Sequence, residues 1–174
     1  MLTGAGFVVT TAGAVIGMAT LTGVVAQRLV RGVCPNCAED VLLTADQVAE
    51  LDGRPVGKPG SHARAVAQLS AMSGRVVVFH TAVAVVRLSD GFRQSSRVPV
   101  TVRFRSLPAA EIEAYLHLEQ PYDCAGSAKC ETLGIALLSA IESDDPTALV
   151  GLPLIRTCEM LRAAGINPLA RGEA

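Results

Sequence analysis

A seventeen-residue stretch, Thr44 to Gly60 (TADQVAELDGRPVGKPG), constrains the fold more than any other part of this sequence. It overlaps an aliphatic run, and Val41–Ala45 reads as a buried strand with Asp46 and Gln47 at its end. Asp52-Gly53 is a hairpin signal that turns Val48–Val56 back on itself. Gly57-Lys58-Pro59-Gly60 then sets a lysine between loop formers. An acid at a strand end beside a loop lysine suits metal and phosphate, because ligand sites in α/β folds gather at strand ends. A strand-end aspartate also serves as a turn or helix cap, so the pattern alone leaves both roles open.

The chain has 174 residues, half of them apolar and 18% charged, which suits one globular domain with its own core. A net charge of −1 and 3% aromatic residues argue against a nucleic-acid interface, which needs a basic face and often stacking rings. A small anion needs only a few local cations. Of fifteen basic residues only Lys58 and Lys129 are lysines, which hints at two places needing a compact ammonium. Two leftover surface lysines would look the same. Five cysteines give no even framework, so reduced thiols in the cytoplasm are expected. Cys34 and Cys37 have zinc-knuckle spacing, but no second close Cys/His pair follows.

Residues 1–27 carry no charge and are rich in Gly, Ala, Val and Thr. A membrane anchor, a buried glycine-rich segment and an out-of-frame reading of GC-rich DNA all fit this composition. The run lacks the basic start of a signal peptide and is dilute in Leu, Ile and Phe, so a membrane role is not expected. Residues 1–40 are therefore set apart as an atypical segment from a domain over 41–174.

The rest reads as α/β. Ser61 caps a helix over His62–Met72 with Ala65, Leu69 and Met72 on one face and Gly74 past its end. Arg75–Leu88 and Phe92–Phe104 pair around Asp90-Gly91, with Pro99 pushing the second strand toward an edge. Ser106 is expected to cap a helix over Pro108–Leu118 with Ile112, Tyr115 and Leu116 inward, and Glu111 and Glu113 on a solvated face. Leu133–Leu138 reads as a short strand. Asp144 and Asp145 read as turn formers before a helix over Pro153–Ala164, with Leu154, Ile155, Cys158 and Leu161 at core spacing. His80 reads as a packed histidine and Thr81 as a cleft residue, while His62 and His117 read as surface histidines that form no metal set.

A second dense stretch is Asp123–Gly134, DCAGSAKCETLG. Its small residues let backbone approach a ligand. Ser127 offers a hydroxyl, Lys129 a charge, and Glu131 an acceptor for the N–H groups of a base. A turn with a buried cysteine would read alike. With TADQV, LDG, GKPG, AMSG, FHTAVAV, VRFRSL, EIEAYL, DDPTALVGLPLI and RAAGINPL in order, the stretch resembles the Maf family of nucleotide pyrophosphatases, in the branch acting on 7-methyl-GTP. The resemblance covers about Leu42 to Leu169.

The resemblance implies a Maf/ITPase-like α/β fold with a mixed sheet and a cleft between two lobes, a homodimer, and a divalent metal (Mg or Mn). By matched position, Asp46 corresponds to the catalytic proton acceptor and candidate metal ligand. Gln47 and Glu131 correspond to residues that separate the 7-methyl-GTP branch from the dTTP/UTP branch, and Lys58, Lys129 and Ser127 fall in substrate-binding motifs. The implied reaction yields a nucleoside monophosphate and pyrophosphate. The family's opening Ser-x-Arg-Arg loop, Asp-Glu pair and further lysine have no counterpart in residues 1–40. An impaired, non-enzymatic dimeric module is accordingly the alternative reading.

Overall fold

The computed structural model describes residues 26–33, 40–87 and 89–169. The uncharged head up to residue 25 and the Cys34/Cys37 pair lie outside them. Six strands, β1 (Ala26–Val33), β2 (Asp40–Leu51), β3 (Arg54–Val56), β4 (Val76–Arg87), β5 (Arg93–Phe104) and β6 (Leu138–Glu142), form one sheet. The order is β1-β2-β4-β5-β6, with β3 folded back on β2. The α/β class expected from sequence holds, but these pairings are all antiparallel rather than mixed.

β2 does not end before Asp46. It runs on to Leu51, with Asp46 opposite Gln27 of β1 and Ala82 of β4. A central strand paired on both sides overrides the poor strand preference of Asp and Gln. The hairpin at Asp52-Gly53 is as expected, since both residues have positive φ (52° and 75°), the backbone that a two-residue primed turn requires. Pro99 lies beyond the part of β5 that pairs with β6, so its missing N–H costs no ladder bond to that strand.

Helix α1 (His62–Met72) starts at Ser61, whose hydroxyl accepts from Arg64 N, and Gly74 follows its end at φ 69°. Helix α2 (Ala109–Glu119) starts later than expected. Pro108 rather than Ser106 is the cap, and its carbonyl accepts from Glu111 N and Ile112 N. Leu133–Leu137 is a 3-10 turn, and the strand begins only at Leu138. A short apolar run is ambiguous by periodicity alone. Helix α3 (Leu154–Ala163) turns Thr157, Met160 and Ala164 inward and leaves Leu154 and Ile155 about half exposed. Its apolar residues fit more than one helical stripe, and contact with β4 selected the other.

Strand alternation divides the sheet into two faces. One carries Ala49, Val77, Phe79, Val100 and Val102 against Leu69 and Met72 of α1 and Ile112 and Leu116 of α2. A smaller cluster joins Leu43, Val83 and Val85 to Met160 of α3. Asp46, Glu50, His80 and Ala82 point the other way, as their register dictates. Leu116 is fully buried and Leu118 is 74% exposed one turn face away. Leu116→Ala should lower unfolding free energy by about 3 kcal/mol and Leu118→Ala by less than about 0.5. Urea denaturation of the two variants checks this, and equal losses would place α2 wrongly.

Candidate active site

Two loops far apart in sequence meet over the helical face of the sheet. The first is Gly57–Gly60, between β3 and α1; the second is Pro121–Thr132, after α2. Gly60 N donates to Tyr122 O at 2.9 Å, and Gly57 O accepts from both Gly126 N (3.3 Å) and Gln68 Nε2 (3.1 Å). Gly126 sits at φ 66°, and a Cβ there would lie 3.3 Å from the Phe79 ring and 3.4 Å from Ala49. Only glycine lets the second loop lie this close to the sheet. Ser127 is fully buried, and its hydroxyl donates to Gln68 Oε1 at 2.5 Å. In this position it braces the two loops.

Between the loops lies a cleft of about 290 Å³ whose lining includes Gln47, Lys58, Lys129, Glu131 and Asp123. Val150 and Gly151 close it from the turn before α3. Four of the residues singled out from sequence are thus brought together. Lys129 is held by partners the sequence reading missed. Its ammonium lies 3.1 Å from Glu119, whose side chain is only 10% exposed, and its backbone N donates to the buried Tyr115 hydroxyl at 3.0 Å. A hydrogen bond from Thr132 and then the Lys129 ammonium hold the Glu119 carboxyl below its ordinary pKa, and Glu119 holds Lys129 above its own. Lys129 O accepts from Gly134 N, and a Cβ on Gly134 would lie 2.5 Å from that oxygen. The inward stripe of α2 marked Tyr115, but nothing in the sequence marked Glu119.

Gln47 is almost fully buried at the cleft floor. Its Nε2 donates to Thr81 Oγ1 (3.0 Å), Ala148 O (2.9 Å) and Leu149 O (3.1 Å). Thr81 is buried behind it, donating to Ala148 O, and does not line the cleft. The carbonyl end of Gln47 has no partner among the described residues, so Gln47 is an oriented acceptor. The 3-10 turn Pro146–Val150 that fixes it is itself tied down by buried Asp145, which accepts from Thr147 Oγ1 and Arg156 N. Asp145 is the turn former expected.

Asp46 is not brought into the cleft lining. One residue from Gln47 on a strand, it points to the opposite face. Burial pushes its pKa up to about 6, against a backbone hydrogen bond at Gln47 and the charge of Lys58. Lys58 therefore lies within electrostatic reach of Asp46 while also lining the cleft. Asp46 Oδ1 is buried with no hydrogen-bond partner among the described residues, and a bare carboxylate oxygen fits a hard divalent cation such as Mg²⁺ or Mn²⁺. On the same face His80 packs against Glu50 at 3.1 Å, the structural role expected of it. The two thiols of the second loop are poor nucleophiles: burial raises Cys124 to about 11 and Cys130 to about 12.

A sequence profile described as Maf-like protein matches residues 15–164. The chain belongs to the Maf-like family. Among its relatives, a protein named 7-methyl-GTP pyrophosphatase from Polaromonas sp. (strain JS666 / ATCC BAA-500) is 63% identical over 144 residues, covering 82% of this chain and 66% of the relative. Proteins of the same name follow from Albidiferax ferrireducens, 62% identical over 82% of this chain and 70% of the relative, and from Burkholderia pseudomallei (strain 1710b), 59% identical over 72% and 58%. The chain thus spans roughly two thirds of the length of these Maf relatives, 58% to 70%. Among the described residues no helix is long and apolar enough to cross a membrane.

Asp46 carries a stability consequence. Its folded pKa of about 6 exceeds the 3.8 of a free aspartate, so between those values the folded chain holds a proton that the unfolded chain has lost. Stability therefore falls as pH rises through that window. In metal-free buffer Asp46→Asn should be more stable than the parent by about 1–2 kcal/mol near pH 8, after discounting for partial exposure. The gap should close below about pH 4. Thermal melts at both pH values check this, and a less stable variant near pH 8 would contradict it.

A second consequence follows from Gly134. Gly134→Ala must displace the Lys129 backbone and should weaken inorganic pyrophosphate binding about tenfold or more, measured by calorimetry. Unchanged binding would separate Lys129 from the anion site.

Proposed function

We propose that this chain is a nucleoside triphosphate pyrophosphatase that hydrolyses 7-methyl-GTP to the monophosphate and pyrophosphate. The observation that carries the reading is the pairing, in one cleft, of Lys58 and Lys129 from different loops with two acceptors, Gln47 and Glu131. The two ammonium groups offset charge on the phosphate oxygens and on the departing pyrophosphate. A carboxylate at Glu131 accepts from the N1–H and exocyclic amine of guanine, and methylation at N7 leaves a cationic base that it favours. The names of the relatives point to the same substrate.

In this reading water attacks the α-phosphorus and the α–β bridging bond breaks; Asp46, on the other face of β2, receives the water's proton through bound water rather than by direct contact. In the metal-free chain burial raises the Asp46 carboxyl to about 6, a better base near neutrality than an ordinary carboxylate; a cation bound to Asp46 itself would lower it again. Asp46 would also hold a divalent cation, Mg²⁺ or Mn²⁺, which supplies Lewis acidity and a more acidic water when bound. Lys58 connects the two places, because it lines the cleft and its charge is felt at Asp46.

The test is pyrophosphate release from 7-methyl-GTP, GTP, dTTP and UTP with each metal. Turnover should favour 7-methyl-GTP and fall about a hundredfold or more in Asp46→Asn. No turnover by the parent chain, or turnover indifferent to Asp46, would leave the non-enzymatic module as the reading.

A further inference from the structure

Helices α1 and α2 bring together three side chains that the nucleotide site does not use. His62, the first residue of α1, lies 2.8 Å through Nε2 from Glu113 Oε2. His117, one turn further along α2, lies 3.7 Å through Nε2 from the same oxygen. The ligand-capable atoms of all three fall within 4.8 Å of one another. The histidines, expected to be unrelated surface residues, converge on Glu113 because the helices pack side by side. Their separation in sequence hid this.

We propose that His62, Glu113 and His117 form a binding site for a borderline transition-metal ion of the zinc type. It is separate from the cleft and independent of the nucleotide reading. Two imidazoles and one carboxylate are the donor set such ions prefer, whereas magnesium asks for oxygen alone. Donor atoms around tetrahedral zinc stand about 3.3 Å apart, and the two separations to Glu113, 2.8 and 3.7 Å, bracket that value. Side-chain exposures of 37%, 46% and 76% leave His62, Glu113 and His117 room to close and keep a fourth position open to water.

A second observation points the same way. His62 Nδ1 is 3.0 Å from the Tyr122 hydroxyl. In the metal-free chain the Tyr122 hydroxyl donates to Nδ1 and Nε2–H donates to Glu113 Oε2; a metal ion takes the place of that Nε2 proton, and Nδ1–H then donates to the Tyr122 oxygen. Metal-binding histidines ordinarily have their other nitrogen held in this way. Tyr122 O also accepts from Gly60 N, so a bound ion would fasten α2 to the loop that carries Lys58. The neutral side chains and one carboxylate leave a single positive charge on the occupied site, which suits its exposure.

The test uses the full chain with ZnCl₂ in saturating Mg²⁺. Calorimetry should find one equivalent bound with micromolar affinity. That binding should weaken at least tenfold in His117→Gln and in His62→Gln, and stay unchanged in Asp46→Asn and in the Cys34→Ser/Cys37→Ser double variant. Because His117 is largely exposed, its replacement leaves the fold intact, which the far-UV spectrum verifies. Cobalt(II) in place of zinc should give the visible bands of a low-coordinate ion, lost in His117→Gln. Absence of stoichiometric zinc in the parent chain, equal affinity in parent and His117→Gln, or loss in the cysteine double variant would each overturn the assignment.

Discussion

The carbonyl of Gly57 receives two hydrogen bonds, from Gly126 N and from Gln68 Nε2, and the geometry of the cleft depends on that junction. Lys58 follows Gly57 directly, and Lys129 stands three residues beyond Gly126. Fixing one carbonyl therefore sets the distance between two ammonium groups that begin some seventy residues apart. Two like charges on separate loops would drift apart in water unless backbone bonds held them. Gly126 is required there by its positive φ and by the Phe79 ring beneath it. Ser127 completes the junction by binding the other end of the Gln68 amide.

Neighbouring residues on β2 do different work because a strand alternates its sides. Gln47 enters the helical face, where the turn before α3 consumes its donors and orients its carbonyl. Asp46 enters the other face, where burial raises its pKa and leaves Oδ1 without a partner among the described residues. Lys58 is the electrostatic link between the two environments. An acid kept partly desolvated costs stability, and such costs concentrate at functional positions. Glu119, by contrast, is a nearly buried acid whose carboxylate is satisfied by Thr132, the Lys129 ammonium and the backbone N–H of Leu133.

Much of this was legible in the sequence, for reasons that differ by residue. Ser61, Gly74 and Asp52-Gly53 announce local backbone geometry, and each acts where it stands. Gln47, Lys58, Lys129 and Glu131 were legible as a motif set, and the loops do bring them together. What failed was tertiary in origin. The end of the strand at Asp46 was masked because pairing on both sides carries β2 through two poor strand formers. The stripe of α3 was misassigned because several helical spacings of its apolar residues are equivalent until a neighbour chooses. That the Ser127 hydroxyl binds Gln68 is likewise invisible in the sequence, because the two stand 59 residues apart. Glu119 and the meeting of His62 with Glu113 and His117 depend on helix packing and have no local signature.

The central claim is that one cleft holds two phosphate-directed lysines and a base-directed Glu131. The most direct measurement is the dissociation constant of 7-methyl-GTP and of dTTP, without added metal, for the parent chain and for Glu131→Gln. The account predicts that the parent prefers 7-methyl-GTP by at least about tenfold, and that the variant loses about that factor for 7-methyl-GTP while dTTP is unchanged. Equal binding of both nucleotides by the parent, or parallel losses in the variant, would contradict it.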